Sequence, residues 1–407
     1  MRMRSTLSHP HAGCDIACQQ TFRSEEGGTG GRIDRIIGEL SGRIVLVVGL
    51  GESGHSVALF LISKGARVRC TDSASPPIAD CRLRNAECRR GNPKSEIRAS
   101  EVTGVRARVE KRKGDLERFG AEVELGRHTE EFCRGCEMVI VSPGVDPRCL
   151  PLMWAEANGV PVISEIELAF RFCRSRIVGI TGTNGKTTTC KLMNQILLEG
   201  GLTTATAGNI GLPFVRKVAE EEAPDILVVE ISSFQLERIH AFRPFISVVL
   251  NITEDHLDRY SSFRDYAEAK RRIAENQKEG DFSIVHESVR HLFPAEDAPD
   301  APTVFSMGRS HEADLVLRDG KVISRVSGRE RCYDVDSHWR LRGEHNLENV
   351  GAAIGVAEIL GVGEEAVYAA LSRFRGLKHR IQFVGKVREV DFFDDSKGTN
   401  VDAAGNA

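Results

Sequence analysis

Seven residues near the middle of the chain, GTNGKTT at 182–188, have the types and order that hold a nucleotide triphosphate. Gly182 and Gly185 let backbone N–H groups curl around phosphate oxygens, and the helix that follows presents its positive end. Lys186 reaches the β and γ phosphates and Thr187 offers a hydroxyl to Mg²⁺, with Thr183, Asn184 and Thr188 completing the run. The strict GxxxxGK[ST] spacing is not met, because Ile180 stands six residues before Lys186. The strand RIVGIT before the loop and the helix TTCKLMNQILLEG after it nevertheless supply the required frame. Such a loop needs a carboxylate for its metal. Glu230 closes the apolar run DILVVE at the edge where open α/β sheets bind ligands, and an acid buried there calls for a metal or lysine partner.

A second glycine turn, GLGESG at 49–54, follows the strand IVLVV and opens a helix, and Asp72 ends the next strand. The pattern places backbone against a diphosphate and Asp72 near a ribose hydroxyl. Alone it reads as a nicotinamide oxidoreductase, although any diphosphate joined to a ribose satisfies the same physics. The triphosphate loop downstream argues against hydride transfer. Two phosphate sites in one chain point to an ATP-driven reaction on a nucleotide-tagged substrate.

These motifs must be held by a sizeable α/β scaffold. The 407 residues carry 55 Lys+Arg against 58 Asp+Glu, a net charge of −3, with 41% hydrophobic residues, the balance of a soluble globular protein of several domains. A near-neutral sum gives no reason to expect nucleic acid or a membrane surface as the partner. There is no apolar run of membrane-spanning length and no secretory signal pattern, so a cytoplasmic location is expected. Eleven scattered cysteines, including Cys133 and Cys136 in one CxxC, read as reduced thiols rather than a disulfide framework or zinc site. Residues 1–42 read as an irregular extension. A βαβ unit begins at Arg43, a basic stretch from Cys81 to Asp115 reads as a solvated insertion, and a second α/β unit starts near Arg174. After Gly376 the run VREVDFFDDS reads as one further apolar strand.

Beyond the two loops, GNIGLP (208–213), EISSFQLE (230–237), NITEDHLDRY (251–260), YAEAKRRI (266–273), GEHNLEN (343–349), GLKHR (376–380) and DSKGTN (395–400) resemble the Mur ligases of peptidoglycan synthesis. EISSFQLE and NITEDHLDRY look most like the branch that adds D-glutamate. The resemblance implies an α/β fold with a Rossmann-like UDP-substrate domain at 43–173 and a central P-loop ATPase domain with a mostly parallel sheet at 174–375. The start of a truncated third α/β domain would occupy 376–407. It implies ATP and two Mg²⁺ ions as cofactors, UDP-N-acetylmuramoyl-L-alanine and D-glutamate as substrates, and a monomer.

Residue by residue, Lys186, Glu230, His256 and Lys270 would form the catalytic group, with Thr187, Glu230, His256 and Lys270 around metal. Lys270 matches a lysine that the family carries as a carbamate, a change that turns an ammonium into a carboxylate-like anion and requires a locally neutral amine. Asn346, Asn349, Arg380 and Asp395 would join the phosphate loop around the nucleotide. Gly51, Ser53, Asp72, Ser73 and Gly144 fall where the family binds UDP. Asn209, Ser232 and Gln235 fall near the muramoyl group, and Thr399 near D-glutamate. Plain structural readings stand beside these: Asn346 as a helix cap, Arg380 as a surface ion pair, Ser232 as a strand-end turn residue.

The implied reaction activates the L-alanyl carboxylate as an acyl phosphate, which the D-glutamate amine then attacks. A full C-terminal domain would run for roughly another 100 residues, so the expectation is a chain that binds its substrates and ligates poorly. The alternatives are a sister amino-acid ligase, a nicotinamide oxidoreductase, and a non-catalytic protein that binds a UDP-sugar peptide.

Overall fold

The computed structural model describes residues 28–73, 99–209, 211–256, 259–294, 299–339, 344–380, 382–388 and 390–396. Apolar runs of four to six residues form the strands, and the amphipathic segments between them cross back over the sheet faces. The first unit runs α1 (Thr29–Gly38), β1 (Ile44–Val48), α2 (Glu52–Ser63), β2 (Arg67–Asp72), α3 (Ala99–Arg118), β3 (Glu122–Leu125), α4 (Glu130–Cys133), β4 (Met138–Val141), α5 (Leu150–Ala157), β5 (Val162–Ser164) and α6 (Glu165–Phe172). Its strands pair in the order β3-β2-β1-β4-β5, all parallel. Strand order reverses between β1 and β4, the crevice where such sheets take ligands.

The second unit begins with β6 (Arg176–Thr181), α7 (Lys186–Glu199), β7 (Thr204–Gly208), α8 (Phe214–Val218), β8 (Ile226–Glu230), α9 (Ser233–Leu236) and β9 (Ile246–Val249). It continues through α10 (Phe263–Arg271), β10 (Phe282–His286), β11 (Thr303–Gly308), β12 (Leu315–Arg318), β13 (Lys321–Ser324), β14 (Arg331–Asp334), α11 (Glu344–Ile359) and α12 (Glu364–Arg373). Nine strands pair in the order β14-β13-β12-β11-β10-β9-β6-β8-β7, parallel from β12 to β7 and antiparallel from β12 to β14. The phosphate loop leaves β6 beside the reversal between β6 and β9.

The two units share one apolar core, which runs from Ile33 on α1 through Ile166 and Phe170 on α6 to Phe214, Phe242 and Ile273. Phe170 and Phe242 meet edge to face at 5.5 Å across the seam, and burying each ring contributes roughly 1.5–3 kcal/mol. A polar clasp completes the seam. The fully buried Glu167 carboxylate accepts the backbone N–H groups of His240, Ala241 and Phe242 at 2.9–3.1 Å and the Arg171 guanidinium at 2.7 Å. Arg171 also pairs with Asp34 on α1. The carboxyl ends of both sheets meet here too, with Arg259 Nη1, beyond β9, donating to Val145 O, beyond β4, at 2.9 Å.

Three expectations change. Residues 1–42 are not irregular throughout: α1 buries Ile33, Ile36 and Ile37, and Leu40 follows at the same helical spacing. The Gly, Arg and Glu around those positions hid a short i, i+3, i+4 pattern. The end of the basic stretch is not a solvated insertion but part of α3, the crossover between β2 and β3, with Val109 and Leu116 buried. The run after Gly376 is two strands, β15 (Gln382–Val387) and β16 (Val390–Asp394), in an antiparallel hairpin that turns at Arg388 with φ 47°. None of the described helices is long and apolar enough to cross a membrane.

Candidate active site

At the phosphate loop the backbone conformation demands its glycines. Gly185 caps α7 with φ 82°, and a Cβ there would overlap Asn349 Oδ1. That same Oδ1 accepts the Thr189 hydroxyl at 3.0 Å, and Asn349 Nδ2 donates to Asn346 Oδ1 at 3.3 Å. The two asparagines expected at the nucleotide are thus buried on the first turns of α11 and brace the loop from behind. From the other side Asn251 accepts the Thr183 N–H at its carbonyl and the Asn184 N–H at Oδ1, both at 2.8 Å. Thr183 Oγ1 accepts Thr253 N–H at 3.0 Å and lies 3.2 Å from the Tyr266 hydroxyl.

Inside this frame two lysines converge. Lys186 Nζ donates to the carbonyls of Gly182 and Thr183 at 2.9 and 2.8 Å, and Lys270 Nζ, from α10, donates to Gly182 O at 2.8 Å. Lys270 is 2% exposed and lies over the Tyr266 ring at 4.6 Å. Burial, and then the charge of Lys186, hold its pKa well below the ordinary lysine value, with Asp255 and Glu230 opposing. Burial likewise lowers Lys186, against the pull of Glu230. Glu230 is 2% exposed and accepts Asn209 Nδ2 at 3.1 Å. Arg380 Nη2 reaches back to Thr187 Oγ1 at 3.2 Å, and Asp395 acts on His345 at the start of α11, opposing the burial that lowers that imidazole. Arg380 is therefore no isolated surface charge.

His256 adopts φ 55°, with its N–H on Asp255 Oδ1 and its ring 4.9 Å from that of Phe234. Among the described residues no three His, Cys, Asp or Glu side chains are grouped to hold a metal. Of the expected metal set Thr187, Glu230, His256 and Lys270, only Glu230 and His256 are of these types. The donor set still fits Mg²⁺, which takes hard oxygens such as the Thr187 hydroxyl and the Glu230 carboxylate and completes its shell with substrate phosphate.

At the first sheet, Gly54 is required because a Cβ would overlap the Gly49 carbonyl, which also accepts the Ser142 hydroxyl at 2.8 Å. Gly51 caps α2 with open space above it, Ser53 is half-buried in the first turn, and Ser73 and Gly144 are exposed on neighbouring loops. Asp72, expected at a ribose, accepts the Leu50 N–H and so ties the turn to β2. Ser232 and Gln235, expected at the muramoyl group, form a capping box on α9. Thr399 lies outside the described residues. The sequence reading missed Asn251, Thr253 and Tyr266, although the first two sit inside NITEDHLDRY. It also missed Arg112, whose Nη1 donates to Leu50 O in the glycine turn at 2.9 Å; no local pattern singles it out from its basic neighbours.

The family profile described as the Mur ligase middle domain matches residues 180–357. The UDP-N-acetylmuramoylalanine--D-glutamate ligase of Geotalea uraniireducens is 40% identical over 364 residues, covering 89% of this chain and 74% of that protein. The enzyme of the same name from Geobacter metallireducens is 40% identical over 365 residues with the same coverage. The crystal structure of UDP-N-acetylmuramate:L-alanyl-gamma-D-glutamyl-meso-diaminopimelate ligase from Neisseria meningitides superposes with a TM-score of 0.51 at 18% identity, covering 83% of this chain and all of that one, and shares the fold. With a phosphate loop, a glycine turn on a second parallel sheet and relatives at this identity over most of its length, the chain belongs to the Mur ligase family.

Proposed function

We propose that the protein joins D-glutamate to UDP-N-acetylmuramoyl-L-alanine at the expense of ATP. The supporting relatives carry that activity in their names. The observation that carries the reading is the convergence of Lys186 and Lys270 on one carbonyl of the phosphate loop, with Glu230 acting on both. Residues 43–173 would bind the UDP-tagged substrate and residues 174–375 the ATP, with residues from 376 onward contributing Arg380 and Asp395 to the nucleotide.

The L-alanyl carboxylate attacks the γ phosphorus, the bond to the β,γ-bridging oxygen breaks, and ADP leaves with that electron pair. The D-glutamate amine then attacks the acyl carbon, loses a proton and expels phosphate. Lys186 lies in the loop where charge develops on the transferred group, and such preorganised charge is often the largest catalytic contribution. Arg380 orients the Thr187 hydroxyl. Thr187 and Glu230 would hold Mg²⁺, which would supply further charge stabilisation to the phosphates. His256, on its kinked backbone, serves as a substrate or metal contact. Two ammonium groups beside one carbonyl repel each other and any cation. Conversion of Lys270 to its carbamate removes that conflict, and the lowered basicity supplies the neutral amine the reaction with CO₂ needs. Arg112 adds a cation at the glycine turn for the diphosphate of the UDP moiety.

The test is ADP formation by the full chain with UDP-N-acetylmuramoyl-L-alanine, ATP and Mg²⁺, with and without D-glutamate, alongside calorimetric titration of the UDP ligand. Turnover that follows another amino acid would make this a sister ligase. Binding of the UDP ligand with no ATP consumption would make it a binding protein.

A further inference from the structure

Arg259, beyond β9 in the second unit, serves three groups with one guanidinium. Its Nε and Nη2 donate to the two carboxylate oxygens of Glu237, the residue that caps the end of α9, at 3.1 and 2.6 Å. Its Nη1 crosses to the first unit and donates to Val145 O at 2.9 Å. Its flat face lies over the Phe234 ring at 4.4 Å. A planar fork of donors with a stacking face suits all three tasks at once, whereas a compact ammonium has neither the fork nor the face.

Each end of this arrangement leads to a part of the candidate site. On the first sheet, Val145 Cγ2 lies 2.9 Å from the point that a Cβ on Gly49 would occupy. Ser142, whose carbonyl accepts the Val145 N–H at 3.4 Å, donates its hydroxyl to Gly49 O at 2.8 Å. The loop that Arg259 holds is therefore the wall of the glycine turn. On the second sheet, the Phe234 ring has the His256 imidazole beside it at 4.9 Å. The His256 carbonyl accepts the N–H groups of Arg259 and Tyr260 at 3.0 and 3.1 Å, which closes a turn on the left-handed φ of 55° at His256.

Cohesion of the two lobes does not account for these contacts, because the Glu167 clasp and the shared apolar core already supply it. An ion pair with Glu237 alone, both side chains partly exposed, contributes little and leaves the bond to Val145 and the stacked ring unexplained. We propose that Arg259 is a positioning residue that sets His256, through Phe234, relative to the glycine turn, so that a diphosphate filling the turn changes the setting of His256. The proposal rests on the reading of Gly49–Gly54 as the UDP site and adds a link from that site to the second sheet. Because the fork is rigid, a displacement of Val145 O tilts the guanidinium plane and with it the ring beneath, a continuous path of contacts between the two sites.

The test uses the full chain, isotope-labelled at histidine Cε1 for NMR, with the His256 signal identified by its absence in His256→Gln. The probe is UDP alone, which fills the turn without a muramoyl group to touch His256, and calorimetry follows its binding. UDP is expected to move the His256 signal of the unsubstituted chain by more than its line width. Arg259→Lys and Phe234→Leu are expected to bind UDP within about tenfold of the unsubstituted chain, to keep their affinity for ATP and Mg²⁺, and to place the His256 signal at a new position that UDP no longer moves. Phe234→Leu keeps the bond to Val145, so loss of the response there assigns the link to the ring. A His256 signal unmoved by bound UDP in the unsubstituted chain overturns the proposal, and so does one that UDP still moves in either variant. A joint fall of melting temperature and of both affinities in both variants also overturns it, since that marks a general packing role. Should UDP fail to bind the unsubstituted chain, the reading of the glycine turn falls. The ligand-free His256 signal, compared between the unsubstituted chain and Arg259→Lys, then decides whether the guanidinium sets the imidazole.

Discussion

Lys186 and Lys270, 84 residues apart in sequence, donate to the same oxygen, that of the Gly182 carbonyl, at 2.9 and 2.8 Å. Two amine groups held this close, Lys270 buried and Lys186 half-buried, set the electrostatics of the site. Burial and then the charge of Lys186 lower the proton affinity of Lys270, burial and the charge of Arg380 lower that of Lys186, and each lysine is eased by Glu230 and Asp255.

Lys270→Ala is expected to reduce D-glutamate-dependent ADP formation by about 100-fold while leaving the UDP ligand bound. Lys270→Arg is expected to be equally inactive, because a guanidinium stays charged and forms no carbamate. An arginine variant with unsubstituted turnover, measured in the same coupled assay, removes the carbamate from the proposal.

Gly185→Ala forces an L residue to φ 82° and drives its Cβ into Asn349 Oδ1. A stability loss of about 1–3 kcal/mol is expected in denaturant titration, together with loss of ATP binding because the loop and the start of α11 part. Retained ATP affinity would show that the loop is not the triphosphate cradle.

The acid at Glu165 makes stability depend on pH in a stated direction. Its folded-state pKa is raised by burial from 4.5 to about 7, so between these values the folded form keeps a proton the unfolded chain has lost. Its contribution is complete below 4.5 and is lost as pH rises through about 7, a span of roughly 3 kcal/mol. Urea titrations from about pH 5 to about pH 8 should show the unsubstituted chain losing stability relative to Glu165→Gln as pH rises. Parallel curves would mean the carboxyl is solvated.

Arg112→Ala removes the cation at the glycine turn. UDP-N-acetylmuramoyl-L-alanine affinity is expected to fall about tenfold, the scale of one charge-assisted hydrogen bond, and the remaining binding should respond less to added salt. An unchanged affinity by calorimetry would return Arg112 to a bracing role on Leu50.

The strand, loop and helix around Gly182 and Lys186 were legible in the sequence because each depends on neighbours within a few residues: an apolar run, glycines, an amphipathic helix. The α/β class followed from the same alternation. What Lys270 does was not legible from its own surroundings. YAEAKRRI has the composition of a wet helix, and only packing of α10 against the phosphate loop puts that lysine at 2% exposure. Asp72 shows a different limit of spacing. Its spacing from Gly49 suits a ribose, and spacing alone says nothing of the further task that the structure gives its carboxylate, accepting the Leu50 N–H. The isoleucines of α1 were hidden by composition, since a three-residue apolar stripe hardly moves an average taken over forty positions.

The clasp at Glu167 has a mechanical consequence. Three amide donors, the Arg171 guanidinium and an unbroken oily layer weld the first two lobes into a single body, so a bending mode between them is stiff. Past Phe374 the chain turns at Gly376 with φ 80°, and Arg380 reaches Thr187 from outside the seam that the clasp holds.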